Sequence, residues 1–521
     1  MLDPLTFYIP EDRRQAIAGG KTLASRMKGA ALYADVSGFT PLTEALVHLY
    51  GPQRGAEELT SHLDRVYNAL IEQLHQYQGS VIGYSGDAIT CWFDEDDGHR
   101  AIATALGMHS AMKKLAAIPL RSGETIAVAV KVAVVVGEGQ RMLVGDPNIQ
   151  LIDLLGFPVV EHLAVAAQVA YSGEIVVDEQ TATNLKDELA VGERREATGS
   201  SEPFFIVRDL KTSVTSTRWP QLDPDSLTEE QLRPWVLPAI YERMSQGYSQ
   251  FMTELRPTVA LFLQFKGIDF EHDPQAEMQL DSYVRWVQAV MARYEGVLLQ
   301  VILGEKGNYL YGTFGAPVVH EDDARRAVSA ALELLTPPPS LDFIDPVPIG
   351  LSRGTMRTGP VGSTLRHTYS VMGDEVNVAA RLMEAAAPGE LLATDRVIQL
   401  VEGLFKTQQL PAIKVKGKTR PVPVYRILGT AEGTQPSRSD TGAALVGRTR
   451  ELTQLDELAD ALMEGQSHVL VMEGEAGIGK SQLITKWLEH SNASDIRTLT
   501  GAGDAIEFRG AAHEAVEELA R

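Results

Sequence analysis

The sequence predicts two α+β domains in tandem, followed by the opening of an α/β nucleotide-binding domain. Three observations carry this. From about Lys28 to Leu210, strand-like apolar runs alternate with amphipathic helical patterns. The second half then repeats landmarks of the first. Glu95-Asp-Asp-Gly-His-Arg-Ala-Ile-Ala-Thr-Ala-Leu106 returns as Glu321-Asp-Asp-Ala-Arg-Arg-Ala-Val-Ser-Ala-Ala-Leu332. Ala166-Ala-Gln168 with Gly173-Glu-Ile-Val returns as Ala379-Ala-Arg381 with Gly389-Glu-Leu-Leu. Such spacing duplicates a whole domain, not a short solenoid unit. Third, Gly474-Glu-Ala-Gly-Ile-Gly479-Lys480-Ser481 lies between an apolar strand, Val469-Leu-Val-Met, and a helical pattern. That is the setting a phosphate-cradling loop requires.

In chain order, Met1 to about Met27 reads as a short lead-in with helical character. The first domain is drawn at residues 23–211, with helices over Ala56–Tyr77 and Gly98–Ala116 and strands over Ile126–Val136 and Glu174–Val177. Residues 212–250 form a connector. Its first part, Thr212–Asp225, is rich in Ser, Thr, Pro and Asp and reads as a linker, and Ser226–Gly247 reads as helical. The second domain spans 251–428, a linker 429–444, and the start of a P-loop domain 445–521. The acidic runs at Glu95 and Glu321 suit helix starts, where carboxylates meet the positive end of the dipole.

At 521 residues, 44% hydrophobic and 22% charged, the chain has room for two or three well-packed soluble domains. A net charge of −22 opposes non-specific binding to nucleic acid or an anionic membrane. Cys91, the single cysteine, excludes an internal disulfide or a Cys-rich metal site, and its apolar strand makes it a core residue. The longest apolar run, Ile126–Val136, is broken by Lys131 and is too short to cross a bilayer. The N-terminus has acidic residues and no apolar signal core. A cytoplasmic protein is expected.

The chemistry centres on Gly29-Ala-Ala-Leu-Tyr-Ala-Asp35-Val-Ser-Gly38-Phe-Thr40. An apolar strand ends in a carboxylate, a small turn follows, and a helix begins whose N–H groups favour phosphate. Gly83-Tyr-Ser-Gly86-Asp87-Ala-Ile-Thr has the pattern of a hairpin tip. Adjacent strands would bring Asp35 and Asp87 together as hard oxygen ligands for a cation. Taken singly, Asp35 reads as a helix cap and Asp87 as a turn residue.

In combination, these segments resemble the metal-binding motifs of class III nucleotidyl cyclases. In the second copy Gln264 stands where Asp35 would be, and Lys306-Gly307-Asn308 replaces Ser85-Gly86-Asp87. What this copy carries instead is His367-Thr-Tyr369-Ser370-Val-Met-Gly373-Asp-Glu-Val-Asn377-Val-Ala-Ala-Arg381. It resembles the cyclase segment with the transition-state residues. Asn377 and Arg381 are four apart and share a helix face. Their first-copy counterparts are expected near Ala164 and Gln168. The resemblance is closest to the soluble adenylyl cyclase branch, whose two cyclase domains also precede an ATPase-like region. It covers roughly Leu23–Gly429.

The resemblance implies ferredoxin-like βαββαβ cores, paired as an intramolecular pseudo-dimer with one active site between them. Asp35 and Asp87 would hold two magnesium ions, with manganese and calcium as alternatives. Backbone at Gly38, Phe39 and Thr40 would hold the outer phosphates, and Lys416 matches the family's phosphate-binding lysine. Lys306 and Ser370 would read the base, Asn377 would orient the ribose, and Arg381 would stabilise charge on the α-phosphate. The implied reaction converts ATP to 3′,5′-cyclic AMP and pyrophosphate. Lys306 only donates, which suits adenine N1 and not guanine N1–H. Ser370 can donate as well as accept, so a guanylyl cyclase is the alternative. A non-catalytic nucleotide sensor regulating the ATPase is a third reading, but it has no use for the Asn/Arg pair. Gly83 and Ala164 stand where the branch has its bicarbonate-binding lysine and arginine, so a bicarbonate response is not expected.

At the C-terminal end, the loop from Gly474 to Gly479 would cradle a second nucleotide's phosphates, with Lys480 on the β- and γ-phosphates and Ser481 on magnesium. No strand ending in an acidic residue follows before Arg521, so the ATPase domain is expected to be cut short and the chain to be a fragment. No nucleic-acid or membrane partner is expected.

Overall fold

The structure is a computed structural model. It describes residues 3–115, 117–119, 125–197, 202–246, 253–304, 307–415, 421–431, 448–463, 465–472, 483, 484 and 487. The chain divides into two compact units, Met1–Ala431 and Glu432–Arg521. Both copies of the repeat lie in the first unit.

In the first copy the strands of the main sheet are β1 (Arg26–Ser37), β2 (Ser80–Ser85), β3 (Ala88–Asp94), β4 (Ala129–Val144), β5 (Ile152–Gly156), β6 (Ile175–Asp178), β7 (Leu189–Glu196) and β8 (Pro203–Leu210). They form one sheet in the order β2-β3-β1-β4-β6-β8-β7, with β5 paired to β4. The second copy supplies β9 (Glu254–Phe265), β10 (Val297–Ile302), β11 (Asn308–Phe314), β12 (Ile349–Gly362), β13 (His367–Met372), β14 (Leu391–Thr394), β15 (Phe405–Ile413) and β16 (Val422–Thr430). Its order is β10-β11-β9-β12-β14-β16-β15, with β13 on β12. The two sheets follow the same path. In each, the first four strands form an antiparallel ferredoxin-like core with the intervening helices, three in the first copy and two in the second.

The helices follow from local sequence. Helix α1 (Glu11–Ala18) belongs to the lead-in, α2 (Phe39–Tyr50) follows β1, and α3 (Pro52–His75) opens on a proline at its first position after Gly51. Asp96 accepts from Arg100 and Ala101 N–H at the head of α4 (His99–Lys113), as the acidic run there suggests. Helix α5 (Val159–Val169) follows β5. The second copy answers with α6 (Ala276–Arg293), α7 (Asp323–Leu334) and α8 (Asp374–Ala385). Leu70, Ile71 and Leu74 of α3 and Ile102 and Met108 of α4 lie in one buried cluster with Leu32 of β1 and Val132 of β4. Cys91 is fully buried on β3, as its apolar strand predicts.

The lead-in and connector are part of the fold. Leu5, Tyr8, Ile9, Trp235, Leu237 and Ile240 share a buried cluster with Phe262 and Tyr311 of the second sheet. The stretch read as a linker is a strap: Trp219 Nε1 donates to the Gly79 carbonyl at 2.9 Å, and Ser216 Oγ to that of Gln76 at 3.0 Å. The helical connector comes in pieces, because Pro234 and Pro238 start new turns. The longest described element of the second unit is the helix Thr449–Met463.

Candidate active site

Strand β1 carries Asp35 near its end, opposite Ala88 on one side and Lys131 on the other. Asp87 lies one residue from Ala88, at the tip of the β2–β3 hairpin, in a two-residue turn whose Gly86 has φ +63°. The Asp87 carbonyl accepts from Val36 N–H at 3.3 Å, locking the tip to β1. Two partly buried carboxylates are thus side by side. Burial, and then the charge of Asp35, push the Asp87 carboxyl up to about 6. Lys131 Nζ sits 3.1 Å from Asp35 Oδ2 and offsets part of the repulsion. Just past the pair, Gly38 has φ +104°, and a Cβ there would lie 2.3 Å from the Ala127 carbonyl. Phe39 and Thr40 begin α2 directly after it.

This donor set fits a divalent cation. Two hard oxygen donors repel each other, and a dication between them would remove that repulsion. Among the described residues no group of three or more His, Cys, Asp or Glu side chains is placed to hold a metal ion.

The second copy is different at the same register. Gln264 pairs with Tyr309, and its N–H donates to the Pro348 carbonyl at 3.2 Å. Gln264, Asn308 and Pro348 therefore stand where Asp35, Asp87 and Lys131 stand in the first copy. Gly307 packs on the Gln264 amide, and a Cβ on it would come within 2.3 Å of Nε2. The register also corrects one match. Ile302 faces Tyr309 as Ser85 faces Ala88, so Lys306 is not the counterpart of Ser85. Five residues separate Ile302 from Asn308, against the two, Gly86-Asp87, that separate Ser85 from Ala88.

Ser370 is buried on β13, opposite Gly359. Gly373 then leads into α8, where Asn377 and Arg381 are exposed one turn apart. Arg381 Nη1 bonds Glu384 Oε2 at 2.5 Å. Tyr309, second residue of β11, hydrogen-bonds Ser85 of the first copy, and its hydroxyl feels the charge of Glu384. Tyr33 feels Asp35, Asp87 and Tyr309. Tyr309 is thus near both Tyr33 of the first copy and Glu384, which lies on the helix of Arg381. The segments running from β5 to β6 and from β13 to β14, residues 157–174 and 373–390, are equal in length. Their direct match puts Glu161 and Val165, not Ala164 and Gln168, opposite Asn377 and Arg381. The first copy still lacks the pair. Lys306, Lys416, Gly474, Gly479, Lys480 and Ser481 lie outside the described residues. Sequence reasoning missed Lys131, although a lone lysine within an apolar strand was the available signal.

Residues 305–429 match the adenylate and guanylate cyclase catalytic domain, and residues 444–520 match the AAA ATPase domain. Adenylate cyclase type 10 of Rattus norvegicus is 25% identical over 499 residues, covering 88% of this chain and 30% of that protein. Its Homo sapiens counterpart is 25% identical over 498 residues, again 88% and 30%. The chain therefore spans under a third of the length of these relatives. Among solved structures, the adenylyl cyclase CyaB of P. aeruginosa aligns at TM-score 0.31 and 23% identity, over 35% of this chain and 98% of that one. No helix among the described residues is long and apolar enough to cross a membrane. The chain carries a class III cyclase domain followed by an AAA-type P-loop region, and it is homologous to adenylate cyclase type 10.

Proposed function

We propose that this chain is a nucleotidyl cyclase that converts ATP to 3′,5′-cyclic AMP and pyrophosphate at one site between its two cyclase-like copies. One observation carries the reading. The carboxylate pair occurs only in the first copy and the Asn377/Arg381 pair only in the second, and both lie in one compact unit. The homology to adenylate cyclases supports it.

In this reading the ribose 3′-OH attacks the α-phosphorus, the bond to the bridging oxygen breaks, and pyrophosphate leaves with the hydroxyl proton going to solvent. Asp35 and Asp87 would hold magnesium, with two ions the expected complement. Bound there, magnesium supplies Lewis-acid activation of the hydroxyl and neutralises phosphate charge. Asn377 positions the ribose. Arg381 leaves Glu384 and places its planar donors on the α-phosphate, where charge grows. Lys131 supplies an ammonium beside the carboxylates, suited to a phosphate oxygen. Backbone at Gly38, Phe39 and Thr40, with Lys416, receives the outer phosphates. Lys306 and Ser370 read adenine. The P-loop residues Gly474, Gly479, Lys480 and Ser481 bind a second nucleotide that takes no part in cyclisation.

The test is direct assay of purified protein with ATP or GTP and magnesium or manganese. Cyclic AMP should be the main product. A preference for cyclic GMP would replace the adenylyl reading with the guanylyl one, and no cyclic product under any condition would end the cyclase reading.

A further inference from the structure

We infer that Tyr84 and Arg366 form the joint that holds the carboxylate copy and the Asn/Arg copy in catalytic alignment, which makes both of them positioning residues for cyclisation. Arg366 sits in the turn between β12 and β13, 6% exposed. No carboxylate pairs with it among the described residues. Its guanidinium instead reaches carbonyls in two other segments and one in its own. Nε donates to the Val81 carbonyl on β2 at 3.4 Å, and Nη1 to the Phe7 carbonyl of the lead-in at 3.4 Å. Nη1 also donates to the carbonyl of His367, at the start of β13. The guanidinium carbon stands 5.7 Å from the centre of the Tyr84 ring. Tyr84 closes the circuit, its hydroxyl donating to the Arg366 carbonyl.

What these two residues link gives the joint its meaning. Tyr84 lies on β2, three residues before Asp87. Arg366 lies four residues before Ser370, just ahead of the strand that runs into the helix of Asn377 and Arg381. The joint therefore couples the hairpin that aims one carboxylate to the strand and helix that aim the opposing groups. Arg14 Nη2 adds a bond from the lead-in to the Leu365 carbonyl at 3.2 Å, beside the same turn. A buried arginine with carbonyl partners on β2 and in the lead-in tolerates little relative sliding, because each donor left behind would be desolvated and unpaired. Phosphoryl transfer depends on the attacking oxygen being held in line, and a shift of about 1 Å can cost about a hundredfold.

The inference rests on the proposed cyclase reading, and its test has an arm that does not. Cys91 is the only cysteine and is buried, so spin labels report from introduced sites. Glu193→Cys on β7 and Gln408→Cys on β15 place one exposed label in each copy. Inter-label distances by pulsed electron resonance are compared in wild type, Tyr84→Phe and Arg366→Met, alongside kcat, KM for ATP and manganese binding. Tyr84→Phe is the mild variant that keeps the ring and should stay folded. The expected result is a broadened or shifted distance distribution, kcat lower by about tenfold, and KM and manganese binding within about twofold. A distribution that superimposes on wild type overturns the joint. Changed distances with unchanged kcat overturn its catalytic role, as does a loss confined to KM or manganese binding. If wild type makes no cyclic nucleotide, the cyclase reading fails and the distance arm alone decides the joint.

Discussion

At the end of its central strand, the first copy sets Asp35 between Ala88 and Lys131, with Asp87 one residue away. At the same register the second copy sets Gln264 between Tyr309 and Pro348, with Asn308 one residue away. The backbone scaffold is duplicated while the charges are not. The helix after the β5 or β13 strand shows the opposite bias: Glu161 and Val165 in the first copy, Asn377 and Arg381 in the second. A duplicated fold can thus keep its core positions, which burial constrains, while the residue types at the ends of its strands and on its exposed helix faces diverge.

The largest effect expected from this comparison is loss of the carboxylates. Asp35→Ala or Asp87→Ala should reduce cyclic nucleotide production by at least about a thousandfold in a folded protein, because the second copy has no carboxylate at either position. Near-normal production by either variant would show that the asymmetry is not catalytic.

Next comes the helix pair. Asn377→Ala and Arg381→Ala should each lower kcat by about a hundredfold to a thousandfold and change KM little, since their contacts develop in the transition state. A rise in KM with kcat intact would move both residues to ground-state binding.

Base choice should shift less. Lys306→Glu with Ser370→Cys should lower the ratio of kcat/KM for ATP over GTP by about tenfold or more, mainly by losing ATP, since adenine N1 would face an acceptor. An unmoved ratio would remove the base-reading role from the second copy.

The smallest effect concerns stability. His75 at the end of α3 and His367 on β13 are both held near a pKa of about 4, by burial first and with the nearby Arg14 acting in the same direction. Both are neutral in the fold at pH 7. Between about 6.5 and about 4 the unfolded chain takes up protons that the fold refuses, so stability should fall as pH drops through that window. Urea unfolding at pH 7 and pH 4.5 should show a smaller drop in His75→Gln and in His367→Gln than in wild type. Equal drops would mean that these sites do not link the two copies' stability to pH.

The sequence by itself determined the duplication, the strand-and-helix alternation, and which copy holds which residue types. Those features live in local patterns: a carboxylate after an apolar run, Gly-Asp at a hairpin, Asn and Arg one helical turn apart. It did not determine the cross-copy register. Counting along the chain put Ser85 level with Lys306 and Asn377 level with Ala164, whereas hydrogen-bonded pairing sets Ser85 level with Ile302 and equal segment lengths set Asn377 level with Glu161. The pairing of Lys131 with Asp35 was also beyond it, because strands far apart in sequence meet only through the sheet order. The strap at Trp219 looked like a linker because its polar composition says nothing of the carbonyl it reaches. Tyr84 and Arg366 lie 282 residues apart, and no local pattern marks either one. Contacts of that separation are chosen by the packing of whole sheets, which fixes register, burial and the partners left within reach.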